Sequence, residues 1–270
     1  MVMTRNRWPD LARTLPRHES PVIVVDNGSD DGTPELVRQH FPDVRVVRLT
    51  DNQGAVARNH GVREARTPYV AFADDDSWWE PGALACAAAY LEASPRLGLL
   101  TGPVLVGDDE HVDAVSREQA AAPLGRDLDL PGPTVLGFLA CAAVVRRDAF
   151  LAVGGFDDVV RMYGEETRLA WDLRASGWGL AYVPDVVAHH HPSTTSRSPR
   201  VAEALERNRV LTTLMRRPWP AVGAEVVRSL SRPEGRAGLR MALPRVPRAL
   251  LHRRRLPTRV EGEIRLLESA

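Results

Sequence analysis

Tyr69-Val-Ala-Phe-Ala-Asp74-Asp75-Asp76 is the stretch on which the reading of this chain turns. An apolar run of the length and composition of a buried strand passes directly into three carboxylates. Strands covered on both faces read as continuous apolar runs and belong to parallel sheets flanked by helices. In open α/β sheets, ligands bind in the crevice outside the carboxyl ends of the strands, which is where Asp74, Asp75 and Asp76 fall. Carboxylates at positions i and i+2 off a strand end can converge on one hard cation, and a diphosphate can supply further oxygens. An isolated run of three aspartates is more often a solvated acidic turn ahead of a helix, so the neighbouring segments decide between the two.

Working outward, the segments alternate. Val22–Val25 reads as a strand, and Thr33-Pro34-Glu35 starts a helix with an N-cap hydroxyl, a proline at the first helical position and an acid in the first turn. Val44–Leu49 and Tyr69–Ala73 are further strands, with Ala55–Ala65 and Pro81–Ala93 as helices and Leu97–Val104 returning to the sheet. This rhythm predicts an α/β fold with a doubly wound, mostly parallel sheet. Residues 107–133 form a charged, Pro/Gly-containing excursion. Val135–Val145 is a strand, Asp148–Val153 a short helix, and Glu165–Ser176 a helix closed by Gly177. Short strands follow near Leu180–Val183 and Val186–Ala188. One feature is unusual: only Met1–Met3 is available for a first strand.

Bulk properties exclude several classes. The chain has 270 residues, 44% of them hydrophobic, enough for one α/β domain and an extension. All 35 basic residues are Arg and 35 are acidic, so no global field attracts nucleic acid. Cys86 and Cys141 sit in apolar stretches and read as small core residues of a reduced compartment. No signal peptide or membrane span is evident, which points to the cytoplasm.

Two segments join the acidic turn. Val24-Val-Asp26-Asn-Gly-Ser-Asp30-Asp31-Gly-Thr33 puts an acid at a strand end before a Gly/Ser turn, suited to a base or ribose. It is not the GxGxxG fingerprint of dinucleotide binding. Asn52-Gln-Gly54-Ala-Val-Ala-Arg58-Asn59-His-Gly61 places Arg58 near a helix start, where it can meet a base, a phosphate or a surface acid.

The order of these motifs resembles the family 2 glycosyltransferases, the inverting group with the GT-A fold. The resemblance spans roughly residues 1–200 and is carried by Thr4-Arg5-Asn6-Arg7, VVDNGSDDGT, NQGAVARNHG, VAFADDDSWWEP, AVVRRDAFLAVGGFDD, YGEETRLAWDLRASGWGLAYVP and DVVAHHHPS. It implies a nucleotide-sugar donor held by Thr4, Arg5, Asp26, Asn52, Gly54, Arg58, Asp74 and Asp75, with Asp26 and Arg58 near the base. Asp74 and Asp76 would be the outer members of a DxD motif, Asp76 binding Mg2+ or Mn2+ and Asp74 lying towards the ribose. His189 would be a third ligand or a phosphate contact, with His190 and His191 as alternatives. The family's Gly-Glu-Asp-x-Asp-Leu is altered here to Gly164-Glu165-Glu166-Thr167-Arg168-Leu169. A Glu can still take the acceptor's proton, which makes Glu166 the expected base and Glu165 its competitor. A helix N-terminus would favour the ionised form. Trp78 and Trp79 are core or lid residues without an assigned role.

The expected organisation is a GT-A-like domain over residues 1–198 and a basic, amphipathic helical extension over 199–270. That extension suits either an anionic membrane surface, with the protein peripheral on its inner face, or packing against the catalytic domain. The predicted reaction is metal-dependent, inverting transfer from a UDP or dTDP sugar to an unidentified glycan, lipid-linked or small-molecule acceptor. A sugar-phosphate nucleotidyltransferase lacks its glycine-rich N-terminal loop here. A non-catalytic sugar-nucleotide-binding or scaffold protein is the alternative that the altered Glu-Glu-x-Arg motif keeps open.

Overall fold

The computed structural model describes residues 1–19, 21–121, 123–192 and 199–269. The expected boundary at residue 198 and Ser193 of the last motif lie outside them. The first half runs β1 (Val2–Thr4), α1 (Trp8–Thr14), β2 (Ile23–Asp26), α2 (Thr33–His40), β3 (Arg45–Arg48), α3 (Ala57–Glu64), β4 (Tyr69–Ala71), β5 (Ala73–Asp74), β6 (Ser77–Trp79), α4 (Ala83–Ala93), β7 (Leu97–Thr101) and β8 (Val104–Val106). Then come β9 (His111–Val112), α5 (Ala114–Ala120), β10 (Ala143–Arg146), α6 (Arg147–Ala152), α7 (Glu165–Ala175), β11 (Gly179–Tyr182) and β12 (Ala188–His190). The C-terminal helices are α8 (Pro199–Arg216), α9 (Trp219–Leu230), α10 (Pro233–Ala242), α11 (Val246–Leu251) and α12 (Thr258–Ser269).

Strand β1 is short, as expected, yet it is central: β2 and β5 pair with it in parallel on either side, in the order β3-β2-β1-β5. The alternation of its side chains shows why the sheet is doubly wound. Val2 and Val24 pack with Leu11 and Val37 of α1 and α2, whereas Met3 and Val25 point the other way, onto Ala57 of α3. The register aligns Thr4 with Asp26 and Met3 with Asp74, bringing three motif segments to one sheet edge.

Several expected elements are shorter or divided. The run 69–73 splits at Phe72: β4 joins the sheet β11-β7-β10-β4, where it pairs antiparallel with β10, while β5 joins β1. Likewise 97–104 divides at Gly102-Pro103, where a Cβ on Gly102 would lie 1.9 Å from the Val186 carbonyl oxygen. Of the expected strand 135–145 only the last three residues belong to a strand, as the start of β10. Thr33 does not cap α2. It is the first helical residue, preceded by Gly32 in the left-handed region, and the Asp31 carboxylate accepts its N–H at 3.0 Å. The excursion after Gly107 contains β9 and α5, the latter capped by Asp113 accepting the Val115 N–H at 2.7 Å. Both cysteines are free.

The C-terminal helices are packed, not trailing. Val210, Leu211, Leu214 and Met215 of α8 bury Val159 and Val160 of the segment between α6 and α7, joined by Ala242 and Ala249. Val260 and Ile264 of α12 cover Leu136 and Trp171. Buried arginines tie these layers through carboxylates: Arg216 meets Asp172 at 2.5 and 3.0 Å, and Arg174 meets Asp127 and Glu263 at 2.7 and 2.6 Å. Among the described residues no helix is long and apolar enough to cross a membrane.

Candidate active site

A pocket of about 750 Å³ opens at the carboxyl ends of β1, β2 and β5, a volume typical of small-molecule sites. The β5–β6 turn carries Asp74, Asp75 and Asp76 to its wall, and the three carboxylates diverge. Asp74 accepts from Arg58 Nη2 at 2.5 Å. Asp75 accepts from the Thr4 hydroxyl at 3.0 Å and faces Arg7 Nε at 3.2 Å. Asp76 meets Arg7 Nη2 at 2.9 Å through one oxygen and His190 Nε2 at 3.3 Å through the other.

This divergence sets the protonation of the turn. Burial, aggravated by Asp76 and Asp74 and opposed by Arg7 and Thr4, pushes Asp75 up to about 7. Burial also acts on Asp76, but the hydrogen bond and charge of His190, together with Arg7, outweigh it and hold this carboxyl low. His190 is raised in turn: burial opposes its charge, and Asp76 and Asp74 overcome that. Asp76 is therefore kept ionised at the pocket wall.

The histidine facing Asp76 is thus His190. Side chains alternate along β12, so His189 and His191 lie together on the far side, where both contact the Trp78 ring, His189 stacked at 5.2 Å and 6°. His189 Nε2 lies 2.5 Å from Glu80. Trp78 is buried in this layer, with Arg17 lying 4.2 Å over its ring, whereas Trp79 is buried in the core beside Ala83 and Ala188.

Thr4, Arg5, Asn52, Gly54, Asp74 and Asp75 line the pocket, and Asn27 lines it beside Asn52. Asn27 fastens two motif loops together, donating to Asn52 Oδ1 and the Gly54 carbonyl and accepting the Gln53 N–H at 2.8 Å. Gly54 has φ +64°, and a Cβ there would lie 2.9 Å from the Arg161 carbonyl oxygen. Any other residue would separate this loop from the segment leading to α7.

Asp26 and Arg58 sit behind the pocket. Asp26 is fully buried; one oxygen accepts the Ser29 N–H at 3.2 Å and the other has no partner among the described residues. Arg58, 2% exposed, spans two acids, reaching Asp74 on one side and Glu165 Oε1 at 3.7 Å on the other. It couples the acidic turn to the first turn of α7.

There, burial raises Glu165 to about 8, with Glu166 adding to the shift and Arg58 opposing it. Burial raises Glu166 as well, against its own backbone hydrogen bond, Arg58 and the Ala140 N–H and with the help of Asp74. The helix N-terminus therefore does not keep these carboxyls as acidic as the sequence suggests; desolvation exceeds it. Glu165 is buried and Glu166 half-buried, and neither lines the 750 Å³ pocket. A second cavity of about 410 Å³ borders α7 at Gly164 and Thr167 and reaches α8 and α12. Arg168, in place of the motif's second acid, joins Asp157 and Asp172 at 3.3 and 3.1 Å.

Sequence reasoning left Arg7 without a role, although it stands in the first motif, and chose His189 over His190, which strand alternation from the buried Ala188 distinguishes. It had no signal for Arg161, Arg207 and Arg245, which also line the pocket. Two of these come from the extension and reach the site only through tertiary packing.

This architecture is that of a GT-A glycosyltransferase. The mannosyltransferase PcManGT of Pyrobaculum calidifontis, solved in complex with GDP-Man and Mn2+, shares the fold with a TM-score of 0.60 at 22% identity, covering 93% of this chain and 72% of that one. S. aureus TarS in complex with UDP aligns with a TM-score of 0.55 at 18% identity, over 79% of this chain and 64% of that one. The chain belongs to glycosyl transferase family 2, whose family model matches residues 1–154. Among its relatives is the N-acetylglucosaminyl-diphospho-decaprenol L-rhamnosyltransferase of Mycobacterium tuberculosis, 31% identical over 212 residues, 66% of this chain and 69% of the relative.

Proposed function

We propose that the protein transfers a sugar, with inversion, from a UDP- or dTDP-linked donor in the 750 Å³ pocket to an acceptor hydroxyl. The observation that carries this is the Asp74–Asp76 turn at the pocket wall, with Asp76 ionised beside His190. Asp76 and His190, 3.3 Å apart at the pocket, offer an oxygen and an imidazole nitrogen as two ligands for Mg2+ or Mn2+; no group of three such side chains is gathered among the described residues, so donor oxygens would complete the site. Asp76 and His190 would hold the ion, in place of the His189 expected from sequence, with Asp74 towards the ribose. Such a cation acts as a Lewis acid that offsets charge on a departing nucleoside diphosphate. Thr4, Arg5 and Asn52 bind the nucleotide, and Arg7 neutralises Asp75 and steadies the turn.

Glu166 is the proposed general base. Its raised affinity for protons makes it a stronger base near neutral pH than an exposed carboxylate. Glu165, shut against Arg58, positions that arginine and through it Asp74. The acceptor hydroxyl approaches the first turn of α7, loses its proton to Glu166 and attacks the anomeric carbon opposite the leaving group. The rhamnosyltransferase relative acts on a sugar linked through diphosphate to decaprenol, and we infer a lipid-linked glycan acceptor here as well. Exposed Leu243, Leu250 and Leu251, close in sequence to Arg248 and Arg253–Arg255, and exposed Trp219, over whose ring Arg253 lies at 4.1 Å, give the extension the apolar and cationic character that an anionic bilayer would bind. Donor hydrolysis and transfer, measured with UDP and dTDP sugars with and without Mn2+, test the reading. Nucleotide binding without any turnover across donors and lipid-linked acceptors would favour the scaffold alternative.

A further inference from the structure

The pocket gathers three arginines, two of them from the C-terminal extension, that meet no acid among the described residues. Arg207, on α8, donates to the carbonyls of Val160 and Met162 and to Asn208 Oδ1. Arg245, in the turn after α10, donates to the Val159 carbonyl at 2.6 Å, and Arg161 donates to the Asn52 carbonyl. All three are half-buried, line the 750 Å³ pocket and have no carboxylate within ion-pair distance among the described residues. The other arginines of the same interface are different: Arg168, Arg174, Arg216 and Arg217 each meet one or two acids.

Neutral carbonyls fix the guanidinium orientations without cancelling their charge. Gathering three like charges in a partly desolvated concavity is unfavourable until an anion enters. The cost is visible at Arg207, which burial and the charges of Arg245 and Arg161 push down to about 10. A planar guanidinium with free N–H groups matches phosphate oxygens in geometry as well as charge.

We propose that Arg161, Arg207 and Arg245 form a phosphate-binding site in this pocket, distinct from the carboxylate turn and assembled only when the C-terminal helices dock. The glycosyltransferase reading bears on it only in naming what carries the phosphate: the diphosphate of the donor, or a phosphate group on the acceptor.

Inorganic pyrophosphate, titrated calorimetrically into the full chain without metal, probes the site directly. Binding should weaken about tenfold or more in each of Arg161→Gln and Arg245→Gln, the loss expected for a charge-assisted hydrogen bond, and should weaken with salt. Arg207→Gln is a third variant, but Arg207 also braces residues 160–162, so unchanged melting temperatures are required of all three. UDP, dTDP and GDP with Mn2+ distinguish the sources. A parallel loss of nucleoside-diphosphate affinity, with the monophosphates unaffected, assigns the site to the donor. Unchanged nucleotide affinity, with pyrophosphate still binding beside saturating nucleotide, assigns it to the acceptor. No pyrophosphate binding, or equal binding by the parent and every folded variant, overturns the site. Pyrophosphate binding without any nucleotide binding would instead overturn the donor reading and leave the arginine site standing.

Discussion

Replacing Arg58 with Met tests the link between the acidic turn and α7. Two acids lose their partner at once. The bond to Asp74 at 2.5 Å is charge-assisted, and such bonds contribute about 1.5–3 kcal/mol; Asp74 is 33% exposed, so the lower part of that range applies. The second loss depends on pH. Across 3.7 Å the Arg58–Glu165 attraction is about 4–5 kcal/mol at an effective dielectric of about 20, but it acts only when Glu165 is ionised. Because the folded pKa of Glu165 is raised from 4.5 to about 8, this group's stabilising contribution is complete below pH 4.5. It declines as pH rises towards 8 and declines no further once the carboxyl has ionised. Without Arg58 the folded pKa rises further, so the variant goes on losing stability above pH 8 where the parent does not. Urea denaturation should therefore show a nearly constant deficit of about 2 kcal/mol between pH 6 and 8. Above pH 8 the deficit should grow by about 1.4 kcal/mol per pH unit. Adding Glu165→Gln to both backgrounds should remove the pH-dependent part. A deficit that stays flat to pH 9.5, or one below about 1 kcal/mol throughout, would refute Arg58 as the bridge.

Three further outcomes are expected. Asp76→Ala and His190→Ala should each reduce the Mn2+-dependent gain in nucleotide affinity about tenfold or more, whereas His189→Ala should leave it within about twofold; calorimetry with and without Mn2+ decides, and the reverse ranking would restore His189. Glu166→Gln should lower transfer rate by about 10²-fold or more with donor affinity retained, while Glu166→Asp keeps measurable activity. Complete loss with Glu165→Gln and survival of Glu166→Gln would exchange the two roles. Leu243→Asp with Leu251→Asp should abolish pelleting with phosphatidylserine vesicles at low salt without altering the melting temperature, and parent and variant that pellet alike would leave the extension a packing element only.

The sequence by itself determined the α/β rhythm, the position of the acidic turn at a strand end and the family, because these rest on local patterns: continuous apolar runs, turn residues, and carboxylates beside a strand. It also placed the start of α7 at Gly164-Glu165-Glu166, a glycine before a run of helix formers. It did not determine where side chains point. Phe72 divides one apolar run between two sheets, and only the pairing of β12 with β6 and β8 shows that His190 faces Asp76. Arg58, expected at the base, lies behind the pocket because Asp74 on the pocket wall and the buried Glu165 both engage its guanidinium. Most of all, tertiary structure decided the role of the extension. Its arginines look alike in the sequence, but docking leaves Arg216 and Arg217 neutralised by acids and Arg207 and Arg245 facing the pocket with none among the described residues. That division arises from contacts across 44 to 86 residues, a separation over which no local pattern carries information.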